Sequence, residues 1–100
     1  MLTKDKIIRE IERNRNKIRL FGVVELTLVG SYARDEPSED SDIDFIAEFA
    51  SGRGNFDDYV HLVQFLSDLF GKKIEVGEKS LIREEIKQQI LRGKKIEAKI

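Results

Sequence analysis

The run from Val23 to Val29 is almost wholly apolar, and it stops at Gly30-Ser31. After ten intervening residues the chain reads Asp42-Ile43-Asp44-Phe45. A Val/Leu-rich run of that length reads as a strand that lies centrally in a sheet. The stretch from Tyr32 to Ser41 holds the only proline, Pro37, among serines and acids, and reads as a loop. Ile43 to Phe49 then forms a second strand. Successive side chains on a strand alternate sides, so Asp42 and Asp44 point to one face while Ile43 and Phe45 point to the other. The two acidic Cα atoms lie roughly 6.5 Å apart at ~3.3 Å per residue. Carboxylates held that close repel unless one takes a proton or a cation sits between them. A strand anchored by Ile43 and Phe45 and carrying convergent acids suits a hard divalent cation.

The Gly-Ser half supplies complementary chemistry. Glycine reaches backbone conformations other residues avoid and lets a ligand approach the main chain. Ser31, and the amides after it if the loop opens a helical turn, can donate to phosphate oxygens. Acids facing a phosphate-binding turn would make a site for a nucleoside triphosphate with Mg²⁺. A solvated acidic loop after a tight turn fits the same residues, because Asp35, Glu36, Glu39 and Asp40 also lie there. The alternation Asp40, Asp42, Asp44 is not an EF-hand: Phe45 stands where glycine is needed and no Glu closes the loop.

Around these strands the chain alternates helices and strands. Thr3 caps a helix expected from Lys4 to Leu20, with Ile7, Ile11 and Ile18 at helical spacing and a charged opposite face. Gly22 ends it. Ala50-Ser51-Gly52-Arg53-Gly54 reads as a mobile break. Asn55 or Asp57 caps a second helix to Phe70, with Gly71 as its stop and Lys72-Lys73 complementing its carbonyl end. Ile74-Glu75-Val76 is a short third strand, and Ser80 to Leu91 a third helix through Ile82, Ile86 and Ile90. Ile96 to Ile100 is a terminal strand or tail. The expected fold is α+β, a small mixed sheet of three to four strands covered by three helices, mainly on one side, in a single domain spanning residues 1–100.

Composition narrows the function. A net charge of −1 argues against broad electrostatic nucleic-acid binding. The absence of cysteine removes disulfides, thiolate metal sites and cysteine nucleophiles. No apolar run approaches a membrane span and no signal core opens the chain, so a cytoplasmic location is expected. His61, the lone histidine, falls in a helix away from the acids and reads as structural.

Gly30-Ser31, the ten-residue interval and Asp42-Ile43-Asp44 resemble the signature of the DNA polymerase beta-like nucleotidyltransferase superfamily. With Ala33-Arg34, Ser41 and Phe45 the string is similar to the minimal nucleotidyltransferases (MNT), antitoxin partners of HEPN toxins. The resemblance implies a nucleotidyltransferase fold and AMP transfer from ATP to a hydroxyl, most simply a tyrosine of a cognate HEPN ribonuclease toxin. It implies that Asp42 and Asp44 hold one or two Mg²⁺ ions and that Gly30 and Ser31 cradle phosphates, with Arg34 neutralising their charge. The third acid of the superfamily maps onto Glu75, as metal ligand and proton acceptor, where the minimal enzymes commonly carry Asp. Asp35 stands where they often have Gly; it tolerates a left-handed turn but adds negative charge. The partners implied are the toxin, in a hetero-oligomer, and a nucleoside triphosphate. A catalytically weak antitoxin that neutralises by binding alone is the alternative.

Overall fold

In a computed structural model of the chain, the described residues are 2–85, 88 and 96–100. Helix α1 runs Lys4–Arg13, opened by extended Thr3, whose hydroxyl accepts from the Lys6 amide at 3.3 Å. Its apolar stripe puts Ile7 and Ile11 fully inside. The expected continuous helix to Leu20 is broken at Asn14, where φ is −104° and ψ 15°. The Asn14 side-chain amide donates to the Glu10 carbonyl at 2.8 Å, competing with the helical ladder as Asn does inside helices. A short α2, Arg15–Arg19, follows and buries Ile18.

Strand β1 is Val23–Val29, β2 is Ile43–Phe49, β3 is Ile74–Glu78 and β4 is Ile96–Ala98. The sheet order is β3-β2-β1-β4, so the two apolar runs occupy the centre, as their composition requires. β1 pairs antiparallel with β2 and with β4, whereas β3 lies parallel to β2. A parallel neighbour needs a crossover, and helix α4, Phe56–Phe70, supplies it. Asn55 caps α4 by accepting from the Asp58 amide at 2.8 Å, and Gly71 closes it in the left-handed region at φ 63°.

One face of the sheet is the core. Leu28 lies across from Phe45 and Leu26 across from Ala47, while Ile43 and Phe45 neighbour Ile74 and Val76 on β3. These side chains form one buried cluster with Ile7, Ile11, Ile18, Leu62 and Leu66 from the helices. Burial of each large apolar side chain contributes about 1.5–3 kcal/mol.

Two further expectations are revised. The break at Ala50–Gly54 is pinned: Arg53 makes two hydrogen bonds to the Asp58 carboxylate, at 2.8 and 2.9 Å, and one to the Leu20 carbonyl at 2.8 Å. The third helix does not begin at Ser80, because Lys79–Leu81 is a 3₁₀ turn and Ile82 is extended. Glu84, Glu85 and Gln88 are helical, and the rest of that segment, Ile86 and Ile90 included, lies outside the described residues. Gly30–Ala33 forms a one-turn helix, α3, straight after β1, the helical turn that the reading of Ser31 allowed for. Among the described residues no helix is long and apolar enough to cross a membrane.

Candidate active site

The second face of the sheet gathers the acids at one end. Asp44 is paired in register with Val29 of β1 on one side and Glu75 of β3 on the other. Asp42 precedes it by two positions and shares its face, while Ile43 and Phe45 are held in the core at 0% and 1% exposure. The expected third acid therefore stands beside Asp44, reached through the α4 crossover rather than through nearby sequence.

Crowding shows in the electrostatics. The Asp44 carboxyl is pushed above its ordinary value, first by burial, then by the charge of Glu75 and a hydrogen-bonding contact with it, and further by Asp42; Arg34 opposes the shift. Among the described residues no group of three or more His, Cys, Asp or Glu side chains stands ready to hold a metal ion. The donor chemistry nonetheless fits Mg²⁺: the side-chain ligands offered are all hard oxygens, carried on two hydrogen-bonded strands and on the residue just before β2. The unfavourable crowding at Asp44 is what a divalent cation would relieve. Asp42, Asp44 and Glu75 are the residues that would hold it.

The turn after β1 lies directly over this end. Gly30 has φ 79°, and a Cβ placed there would collide with the Asp44 carboxylate, its Cγ lying 3.2 Å away. Only glycine lets the main chain lie this close to the acid. Ser31 stands in the first turn of α3, where backbone amides have no intrahelical acceptor. Asp35 adopts the left-handed region at φ 59°, as its side chain permits, and its charge is paired with Lys4 at 2.8 Å. Arg34 lies 3.6 Å from Glu36, both exposed, and its charge is felt at Asp44. The loop then closes on a Ser38–Ser41 turn, with the Ser38 amide donating to the Ser41 hydroxyl at 2.8 Å. Lys72 donates to the Glu39 carbonyl at 3.3 Å, tying the loop to the start of β3.

One site residue was not recognised in the sequence. Lys73, read there as a helix-end charge, approaches Asp42 at 3.8 Å and Glu75 at 3.9 Å. Its spacing two residues before Glu75, on the strand-side mirror of Asp42-Asp44, was the available signal. His61, as expected, is elsewhere, against Phe21 with ring centroids 6.2 Å apart. Tyr32 is buried, and the Tyr59 hydroxyl donates to the Val76 carbonyl at 3.0 Å.

Known proteins share the sequence pattern and the fold of this chain. Residues 5–97 match the family described as nucleotidyltransferase domain. The chain is 31% identical over 93 residues to the protein adenylyltransferase MntA of Thermococcus cleftensis, covering 92% of this chain and 93% of that protein. It is 36% identical over 87 residues to a Methanocaldococcus jannaschii protein provisionally named a protein adenylyltransferase, covering 83% of this chain and 87% of the relative. Among solved structures, one provisionally described as a minimal nucleotidyltransferase superposes with a TM-score of 0.71 at 26% identity, over 87% of this chain and 92% of that one. The fold is shared too with a chain from the complex of tri-AMPylated Shewanella oneidensis HEPN toxin with MNT antitoxin, at a TM-score of 0.62 and 18% identity, over 91% and 71% of the respective chains.

Proposed function

The chain belongs to the nucleotidyltransferase domain family, and on that premise we propose that it transfers AMP from ATP to a hydroxyl, the acceptor being a tyrosine of a cognate HEPN toxin. The observation that carries this reading is the meeting of Asp44 with Glu75 beneath Gly30, with Asp42 two residues away on the same face. The name of the Thermococcus cleftensis relative supports protein as the acceptor, and the toxin–antitoxin complex among the structural neighbours supports the partner.

The reaction follows from the residues. The Gly30-Ser31 turn receives the β- and γ-phosphates, and Arg34 leaves its exposed Glu36 contact to meet their charge. The acceptor oxygen attacks the α-phosphorus, the bond to the β-phosphate oxygen breaks, pyrophosphate leaves, and Glu75 takes the acceptor proton. Mg²⁺, when bound, would be held by Asp42, Asp44 and Glu75 and would supply charge neutralisation for the phosphates. The protein acts in the cytoplasm as the antitoxin of a pair, in a hetero-oligomer with its toxin.

The test is incubation with Mg²⁺, labelled ATP and the proposed HEPN toxin, next to an Asp42→Asn/Asp44→Asn control. Label is expected on the toxin with the parent alone; equal labelling by both proteins overturns the reading. The contacts of Lys73 with Asp42 and Glu75 favour a second reading, an antitoxin acting by association alone. It predicts undiminished neutralisation by the double variant, and loss of neutralisation in that folded protein rejects it.

A further inference from the structure

Four side chains form a two-by-two grid at the acidic end of the sheet. Asp42 and Asp44 lie along one strand direction, Lys73 and Glu75 along the next, with Ile43 beside Ile74 and Asp44 beside Glu75. Asp42 and Lys73 therefore occupy the remaining adjacent corners, and three corners are acids while the fourth is an ammonium. The backbone of Lys73 is fixed there, since its carbonyl accepts from the Ile43 amide at 3.0 Å. Its head group is not: the side chain is 72% exposed and its contacts with Asp42 and Glu75, at 3.8 and 3.9 Å, are ion pairs longer than a direct hydrogen bond.

A lysine so placed is a cation with an anchored stem and a free head. We propose that Lys73 is a tethered counter-ion that competes with the divalent cation for Asp42 and Glu75 and, once displaced, turns to the polyphosphate of the nucleotide. This rests on the metal-dependent reading above. The consequence is that the site takes free metal poorly and metal with triphosphate well. Without nucleotide, an entering cation must break both lysine contacts. With nucleotide, the displaced ammonium gains phosphate oxygens as partners, and a lysine is well suited to that exchange because it is a compact charge on a flexible stem. No other lysine within an ion-pair contact of these acids is seen among the described residues.

The two halves of the proposal have opposite signs in one variant. Lys73→Met removes the charge at an exposed position while keeping an unbranched stem. Mn²⁺ binding without nucleotide is followed by the electron paramagnetic resonance of free Mn²⁺, and binding of a non-hydrolysable ATP analogue by calorimetry at saturating Mn²⁺. Relative to the parent, Lys73→Met is expected to bind Mn²⁺ alone about fivefold more tightly, the scale of two solvent-screened ion pairs, and the analogue about fivefold more weakly. Lys73→Arg, which keeps the charge, should lie near the parent in the Mn²⁺ measurement. Mn²⁺ binding by Lys73→Met that is no tighter than the parent's, or analogue binding that is no weaker, overturns the proposal. Absence of Mn²⁺ binding by parent and Lys73→Met alike overturns the metal-dependent reading itself, a result distinct from equal, measurable binding by the two.

Discussion

Asp44 and Glu75 stand side by side on parallel strands, and the nearness of Glu75 helps, after burial, to raise the Asp44 carboxyl above its ordinary value. Replacing Glu75 with Gln removes one of the charges responsible but leaves burial, the larger cause, in place. The Asp44 carboxyl is therefore expected to titrate part of the way back toward its ordinary value, as read by carbon NMR of the labelled side chain. Transfer of AMP should fall at least about 100-fold, the scale of a lost general base. Glu75→Asp, which keeps the charge, should lose less.

Gly30→Ala places a methyl group against the Asp44 carboxylate at a backbone φ of 79°. The left-handed conformation alone costs an L-residue about 1–2 kcal/mol. Urea denaturation should show a loss of that order, and the turned carboxylate should abolish transfer even at temperatures where the variant is folded.

The Arg53–Asp58 pair gives a pH dependence of definite sign. Hydrogen bonds from Arg53, then the Gly54 amide, hold the Asp58 carboxyl down at about 2, below its ordinary 3.8. A carboxyl depressed on folding stabilises the protein above its unfolded value, and that contribution disappears as pH falls through the folded value. Asp58→Asn should thus lower the melting midpoint at pH 7, and the parent's advantage should shrink between about pH 4 and about pH 2. A scan of melting midpoint against pH for both proteins checks this.

Phe45 is the core anchor between the acid at Asp44 and Ile46, and it is 1% exposed. Phe45→Ala should cost about 3–5 kcal/mol, a large share of the stability of a small domain. Chemical denaturation would show the midpoint shift, and transfer activity should recover only under conditions where the variant refolds.

The architecture was legible where local chemistry and pattern coincide. Both central strands run between the boundaries read in the sequence because each apolar run is cut by a glycine, a cap or a polar loop. Asn55 and Gly71 likewise bound α4 as expected. Asn14 escaped because its neighbours keep helical spacing; the break shows in its backbone angles and in its side-chain bond to Glu10. Arg53 looked like part of a loose glycine-rich link, since its bond to Asp58 forms only once α4 is in place and its bond to the Leu20 carbonyl is a long-range contact. At the site, the resemblance pointed to Gly30, Asp44 and Glu75, which the fold brings together. Lys73 was misread because a lysine after a helix stop has a ready local explanation, and its contact with Asp42 exists only after β3 aligns with β2.

The position of β3 has one more consequence. Among the described residues this strand is bonded along a single side, to β2, and so forms the rim of the sheet. A rim strand opens at lower free energy than an interior one. Gentle heating should therefore peel Glu75 and Lys73 from the two aspartates while the central ribbon stays intact, so that inactivation precedes melting and the temperature at which turnover ceases understates the endurance of the scaffold.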